Sequence, residues 1–260
     1  LIPQVVYYVV SYLELVTTDK IKLGDKVNFV VPTGNFGNIL AGYYAEQIGL
    51  PVNKLICASN NNNVLYDFLK TGVYDKNRDF LKTVSPSMDI LISSNLERLL
   101  YYVSGCDNAY VASLMKDLKE TGRFEVTKEI LNRIQEKFQT GFADDLDTKQ
   151  TIKKIYEKDS YLLDTHTAVA YKVLLDNLDK EHVNVVLSTA SPYKFTESVY
   201  TSLNEATNED EFTLMNKLHE QTKVAIPENL KDLDKKVIRH KDVINKNEMK
   251  KYILEKLGDL

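Results

Sequence analysis

The chain is poor in cysteine. It has two, Cys57 and Cys106, in unrelated contexts and without Cys-x-x-Cys spacing. This argues against a disulfide framework or a structural zinc site, and it suits the reducing cytoplasm. Nor is there an excess of positive charge: 33 Lys and Arg stand against 37 Asp and Glu, a net charge of -4. A mildly acidic chain has no general electrostatic attraction to nucleic acid or to an anionic membrane. No apolar run is long enough to span a bilayer. The start of the chain lacks the basic stretch and small-residue cleavage site of a signal peptide. Also missing are the Gly-Lys-Ser/Thr ending of a nucleoside-triphosphate loop and the Gly-x-Gly-x-x-Gly of a dinucleotide loop. No metal, nucleic-acid or membrane partner is expected.

What is present is a globular composition. The chain has 260 residues, 43% of them hydrophobic, enough for one large domain or a domain with a sizeable insertion. It opens on Leu1, and Leu1–Leu15 is apolar apart from Gln4, Ser11 and Glu14. No Ser, Thr, Asp or Asn stands ahead of that run as an N-cap. It reads as a buried helix whose upstream chain has been removed.

Lys26–Val31 (Lys-Val-Asn-Phe-Val-Val) reads as a strand. Pro32–Gly37 breaks it, and Asn38–Ile48 follows with apolar residues on one helical face. Lys54–Ser59 repeats the strand pattern, Asn60–Asn63 forms a turn, and Val64–Leu69 reads as a helix ending at Gly72. Ser85-Pro86-Ser87 is a turn, Asp89–Ser93 a third strand and Asn95–Val103 a helix ending at Gly105. From 108 to 158 charges are dense, and Met115, Leu118, Phe124, Val126, Ile130, Ile134 and Phe138 fall at helical spacings. This predicts a helical insertion. A helix at Thr165–Leu178, a strand at Val183–Ser188, a loop at Thr189–Phe195 and short helices near Phe212–His219 and Asn247–Leu257 complete the reading. The expected class is α/β, a doubly wound and mostly parallel sheet. The expected division is 1–107, first part of the sheet domain; 108–158, the insertion; and 159–260, second part and tail.

Ligands of such sheets bind outside the carboxyl ends of the strands. Three clusters fall there: Pro32–Asn38, Ser93–Arg98 and Thr189–Lys194. In the first, Gly34 and Gly37 flank Asn35-Phe36 between a strand and a helix. Glycines permit positive φ and close backbone approach, and the helix N-terminus offers free N–H groups. The loop is either a phosphate cup or an ordinary βα turn that needed two glycines. Arg98 is either an anion ligand or a solvated partner of Glu97 or Asp89. His166 is either a site residue or a helix cap, and Thr189 either a ligand contact or a plain loop hydroxyl.

The motifs themselves resemble those of one family. Pro32-Thr33-Gly34-Asn35-Phe36-Gly37-Asn38 resembles the cofactor-phosphate loop of threonine synthases, which are fold-type II pyridoxal-phosphate enzymes. Ser85–Ile90 and Ile92–Leu100 are similar to the family's SPSMDI…ISSNxERLL run, and Asp164–Val169 to its DPHTAV element. Leu187–Phe195 resembles LATAHPAKF, and Leu1–Leu15 the helix after the family's middle segment. These elements occur in family order over nearly the whole chain.

The resemblance implies the large domain of a fold-type II enzyme, incomplete here, and a lyase of threonine biosynthesis. The family converts O-phospho-L-homoserine and water to L-threonine and phosphate with pyridoxal 5′-phosphate. By motif, Gly34, Asn35, Phe36, Gly37 and Asn38 would hold the cofactor phosphate, and Thr189 the pyridine nitrogen. Asn95 and Arg98 would hold a substrate phosphate or carboxylate, with His166 and Thr167 at the rim. Other fold-type II enzymes, such as serine or threonine dehydratases, lack an SSNxERLL-like run. A non-enzymatic anion-binding module is the alternative from outside enzymology.

Three departures stand out. The family's Pro before the His is Thr165 here. The His of TAHP is Ser191, whose hydroxyl cannot titrate near neutral pH. The Phe-Lys-Asp segment with the Schiff-base lysine does not occur. The chain alone is therefore expected to be inactive and not to retain the cofactor.

Overall fold

The structure, a computed structural model, describes residues 1–258. Val27–Pro32 (β1) is buried along its whole length. Its side chains alternate: Val27, Phe29 and Val31 enter one hydrophobic cluster and Val30 enters another. A strand buried on both faces belongs to a parallel sheet covered by helices, and that is the arrangement found. Val52–Ser59 (β2), Phe138–Phe142 (β5) and Val183–Val186 (β6) join β1 in a four-stranded sheet of order β5-β2-β1-β6, every pair parallel. Val73–Asp75 (β3) and Arg123–Glu125 (β4) form a separate antiparallel pair.

The helices cover both faces. Gly37–Gln47 (α2), Val64–Thr71 (α3) and Lys128–Lys137 (α6) contribute to the larger cluster with Phe29, Leu55 and Phe138. Thr165–Asp176 (α8) lays Val169, Ala170 and Val173 on the opposite face, against Val30, Ile56 and Ala58. The chain runs β1, β2, β5 in one direction across the sheet and then returns to lay β6 on the other side of β1. That reversal makes the carboxyl ends of β1 and β6 a topological switch point, where ligands of open α/β sheets bind.

Val5–Thr17 (α1), preceded by a short 3-10 turn at Ile2–Gln4, packs on α2 through Tyr8 and Tyr12. Gly42 permits the approach: a Cβ there would lie 2.6 Å from the Tyr8 ring. The expectation of a buried helix is corrected. Val6, Tyr7, Val10 and Leu13 are about half exposed, at 48–56%. The helix is apolar all round, but only one side of it meets the sheet domain.

The third strand expected at Asp89–Ser93 is not formed. The Tyr74 hydroxyl occupies the place of a neighbouring strand, donating to Leu91 O at 3.0 Å and accepting from Ser93 N at 2.8 Å. Asn108–Thr121 (α5), β4, α6, β5 and Asp145–Asp159 (α7) fill the segment expected to be a helical insertion. Two of these elements are strands, and β5 is an edge of the main sheet. Phe124 and Phe138, placed on helical faces by spacing, begin or lie in strands.

Ser94 and Asn95 lead into Leu96–Val103 (α4), and Gly105 follows it at φ +79°. Thr196–Leu203 (α9) and Glu211–Thr222 (α10) pack beyond α7. The chain divides into two compact units, Leu1–Ala225 and Ile226–Leu260. The second unit holds the helix Met249–Gly258 (α11), started by an Asn245–Glu248 capping box. None of its described residues is buried.

Candidate active site

The loop after β1 is tied down by its first N–H and by the carbonyls that follow. Thr33 N donates to Ala58 O at 2.8 Å, Ser93 Oγ to Gly34 O at 2.6 Å, and Asn95 Nδ2 to Asn35 O at 2.8 Å. The Asn35 amide oxygen accepts from Ser94 N and Oγ at 2.6 and 2.8 Å. The donors are left over: the N–H groups of Gly34, Asn35, Phe36, Gly37 and Asn38 find no acceptor among the described residues. No acidic residue lies in the first turn of α2 to repel an anion. Spare N–H groups at a helix start, without a competing carboxylate, form an anion cradle.

The backbone solution differs from the one expected. Positive φ falls on Phe36, at +60°, with its ring fully buried. Neither Gly34 nor Gly37 is left-handed. Gly34 is needed for proximity, since a Cβ would lie 3.0 Å from both Met88 Cα and Ser87 O. At Gly37 a Cβ would lie 3.3 Å from Leu1 and 3.4 Å from Asn95 Nδ2.

A cavity of about 440 Å³ opens over the cradle. Residues 34–38, Asn95, His166 and Thr189 line it, so eight of the ten candidate residues share one cavity. Thr189 stands past the end of β6, the strand beside β1, and is exposed. A neighbouring space of about 430 Å³ is lined by Gln4, Tyr7, Asn38, Leu187, Ser188 and Thr189. No lysine lines either space.

Two candidates are off the wall. Arg98 is exposed and donates to Asn95 Oδ1 at 2.8 Å, with no ion pair to Glu97 or Asp89 among the described residues. It meets the site through Asn95. Thr167 is buried, donates to the Asp164 carboxylate and lies 3.3 Å from Ser188 Oγ. The helix cap is Asp164, which accepts from His166 N at 2.8 Å and Thr167 N at 3.2 Å. The His166 ring is free for another contact: its Nε2 accepts from Ser87 N at 3.1 Å. Ser191 caps the 3-10 turn Pro192–Phe195, accepting from Tyr193 N.

Sequence reasoning missed Gln4 and the anchoring of α1. Burial holds the Tyr8 hydroxyl well above the usual phenol range, so it stays protonated and donates to Asn38 O at 2.7 Å. The apolar run around Gln4 hid it, because a lone amide there reads as an interruption.

Residues 167–253 match the family model described as threonine synthase, C-terminal. The structure is similar to that of threonine synthase from yeast, with a TM-score of 0.84, 36% identity, and coverage of 99% of this chain and 52% of that one. The chain belongs to the threonine synthase family. A pyridoxal-phosphate-bound threonine synthase structure from Brucella melitensis gives a TM-score of 0.74 at 41% identity, covering 83% of this chain and 46% of that one. The human threonine synthase-like 1 protein is 41% identical over 205 residues, 78% of this chain and 28% of its own length. The chain thus spans about half or less of the threonine synthase family members it matches. With that family comes the fold-type II architecture of its members, and the parallel sheet and switch-point loop are this chain's share of it. Among the described residues no helix is long and apolar enough to cross a membrane.

Proposed function

We propose that this chain supplies the cofactor-phosphate half of a threonine synthase site. The whole protein would convert O-phospho-L-homoserine and water to L-threonine and phosphate. The observation that carries the reading is the set of N–H groups at Gly34–Asn38 without acceptors among the described residues, lining one cavity together with Thr189. The residues fit the two non-covalent ends of pyridoxal phosphate. A tight cradle that a Cβ at Gly34 would fill suits a phosphate, and a neutral hydroxyl suits a pyridine nitrogen that is not protonated. When bound, that cofactor supplies an electron sink, and the protein's part is to position and tune it.

In this reading the loop N–H groups neutralise the phosphate without a lysine. Asn38, its carbonyl and its amide oxygen both facing the Tyr8 hydroxyl at 2.7 and 3.3 Å, lines the cavity and offers its backbone N–H. Asn95 and Arg98 form one hydrogen-bonded unit beside the loop, ready for a substrate anion, and His166 and Thr167 stand at the start of α8 at the cavity's rim. The missing part is a covalent anchor, since no lysine lines the cavity. The 260-residue chain alone therefore makes no threonine. Incubation with pyridoxal phosphate, borohydride reduction and peptide mapping tests this. Diffuse, substoichiometric labelling is expected, and stoichiometric labelling of one lysine would overturn it. In the whole protein, Thr189→Ala and Arg98→Ala should each lower kcat/KM at least ten-fold; unchanged activity in both would favour a bare anion-binding module.

A further inference from the structure

His166 sits at the start of α8, 3% exposed, on the wall of the cavity. A buried imidazole at such a place invites the role of acid, base or anion ligand. Its hydrogen bonds say otherwise. Nε2 accepts the backbone N–H of Ser87 at 3.1 Å, so that nitrogen carries no proton. The proton is on Nδ1, which faces Asp164 Oδ1 and Thr165 Oγ1, each at 3.3 Å. Asp164 is fixed in turn by the N–H groups of His166 and Thr167. Carboxylate, imidazole and backbone N–H thus form a line in which every proton has a place. The Phe195 ring, 4.5 Å from the imidazole centroid, packs against it.

The line leads to the cradle. Ser87 belongs to the 3-10 turn Pro86–Met88, whose backbone is the surface on which Gly34 rests, Ser87 O and Met88 Cα being the two atoms that a Cβ there would strike. The far side of that turn is anchored independently. Asp89 accepts from Asn60, Asn62 and Thr83 at 2.7–3.0 Å. His166 is what holds the near side.

We propose that His166 is a positioning residue: as the neutral Nδ1–H tautomer it holds Ser87, and through Ser87 it sets the Gly34 wall of the anion cradle. The inference rests on reading Gly34–Asn38 as an anion site. Protonation of the ring places a hydrogen on Nε2, opposes the Ser87 N–H and releases the turn. Other charged groups nearby are engaged elsewhere or distant. Asp89 faces its amide and hydroxyl donors, and Asp145 accepts from Val84 N at 3.2 Å. Lys172 pairs with Asp176 and Asp147. Lys194 Nζ lies over the Phe195 ring, 5.3 Å from its centroid. Asp164 is the carboxylate that faces the ring.

The test uses the isotope-labelled chain and sulfate, which does not titrate near neutral pH. Without anion, the Ser87 and Gly34 amide resonances should move together with the His166 ring titration. They should stay fixed in His166→Gln, whose amide oxygen can accept the same N–H without ionising. A ring titration that leaves the Gly34 amide unmoved would overturn the proposal. With sulfate, affinity should weaken about five-fold as the ring protonates, the worth of one backbone hydrogen bond. His166→Gln should keep the high-pH affinity with a flat profile, and His166→Ala should bind weakly at every pH. Affinity that rises on acidification would show the ring acting as a cation on the anion, and would also overturn it. If sulfate moves none of the Gly34–Asn38 amides, the anion-site reading fails, while the anion-free titration still judges His166 by itself.

Discussion

Phe36 carries the conformation that its glycine neighbours were expected to carry. A left-handed residue with a buried ring is held there by packing, and such conformations gather at ligand sites. The division of labour makes the two glycines unequal. Gly34→Ala puts a methyl against immovable backbone and should destabilise the fold by about 1–3 kcal/mol. Gly37→Ala meets the ends of Leu1 and Asn95, which can shift, and should cost less. Urea unfolding of the two variants makes the comparison; equal losses would count against it. The cysteines differ as sharply. Burial pushes the Cys57 thiol up to about 12, and Cys106 is exposed. Iodoacetamide at pH 8 should label Cys106 in the native chain and both thiols in denaturant, read by mass spectrometry.

At the scale of elements, α8 depends on its first turn. Asp164→Ala removes the acceptor for two backbone N–H groups, and should cost about 1–2 kcal/mol for the cap alone. Ser191→Ala, at the cap of a 3-10 turn, should cost less; calorimetry of both variants checks the order. The junction between α8 and β6 carries a second device. Asp179 accepts from Asn28, from Glu181 N and from His182, and these bonds lower its pKa from 3.8 to about 2. A depressed carboxylate stabilises the fold above its unfolded pKa and loses that effect as pH falls through the folded value. Acid unfolding should therefore have a component between about pH 4 and pH 2 that Asp179→Asn removes. The sequence made β1 and β2 legible as short apolar, β-branched runs and α2 and α4 as longer apolar segments, because each is bounded by Gly, Pro or a polar turn. It hid β5, because Phe-Gln-Thr-Gly-Phe follows α6 without a break and only sheet pairing identifies it. It misled at Asp89–Ser93, where a distant tyrosine hydroxyl satisfies backbone that a strand would have paired.

For the molecule as a whole, the parallel class and a site at the carboxyl ends of the strands were readable from the alternation of strands, turns and helices. The side of β1 on which β6 would lie was not, since nothing local encodes strand order. The candidate site residues were legible as motifs, and their hydrogen-bond partners were not. Arg98 bonds Asn95 and Thr167 bonds Asp164, each three residues away; what no local pattern encodes is that Asn95 in turn reaches Asn35 O, sixty residues back. The two-unit division also has an experimental consequence. A chain ending at Ala225 keeps every buried residue of the first unit and should melt within a few degrees of the longer one. A loss of cooperativity would contradict that. The outer side of β6 remains. Among the described residues no strand pairs there, its four residues are half-buried, and Val6, Tyr7 and Val10 line the adjoining groove. An open strand edge beside an apolar stripe is a template for stacking of one chain on another. The practical result is a ceiling on usable concentration, with light scattering rising well before the fold itself is lost.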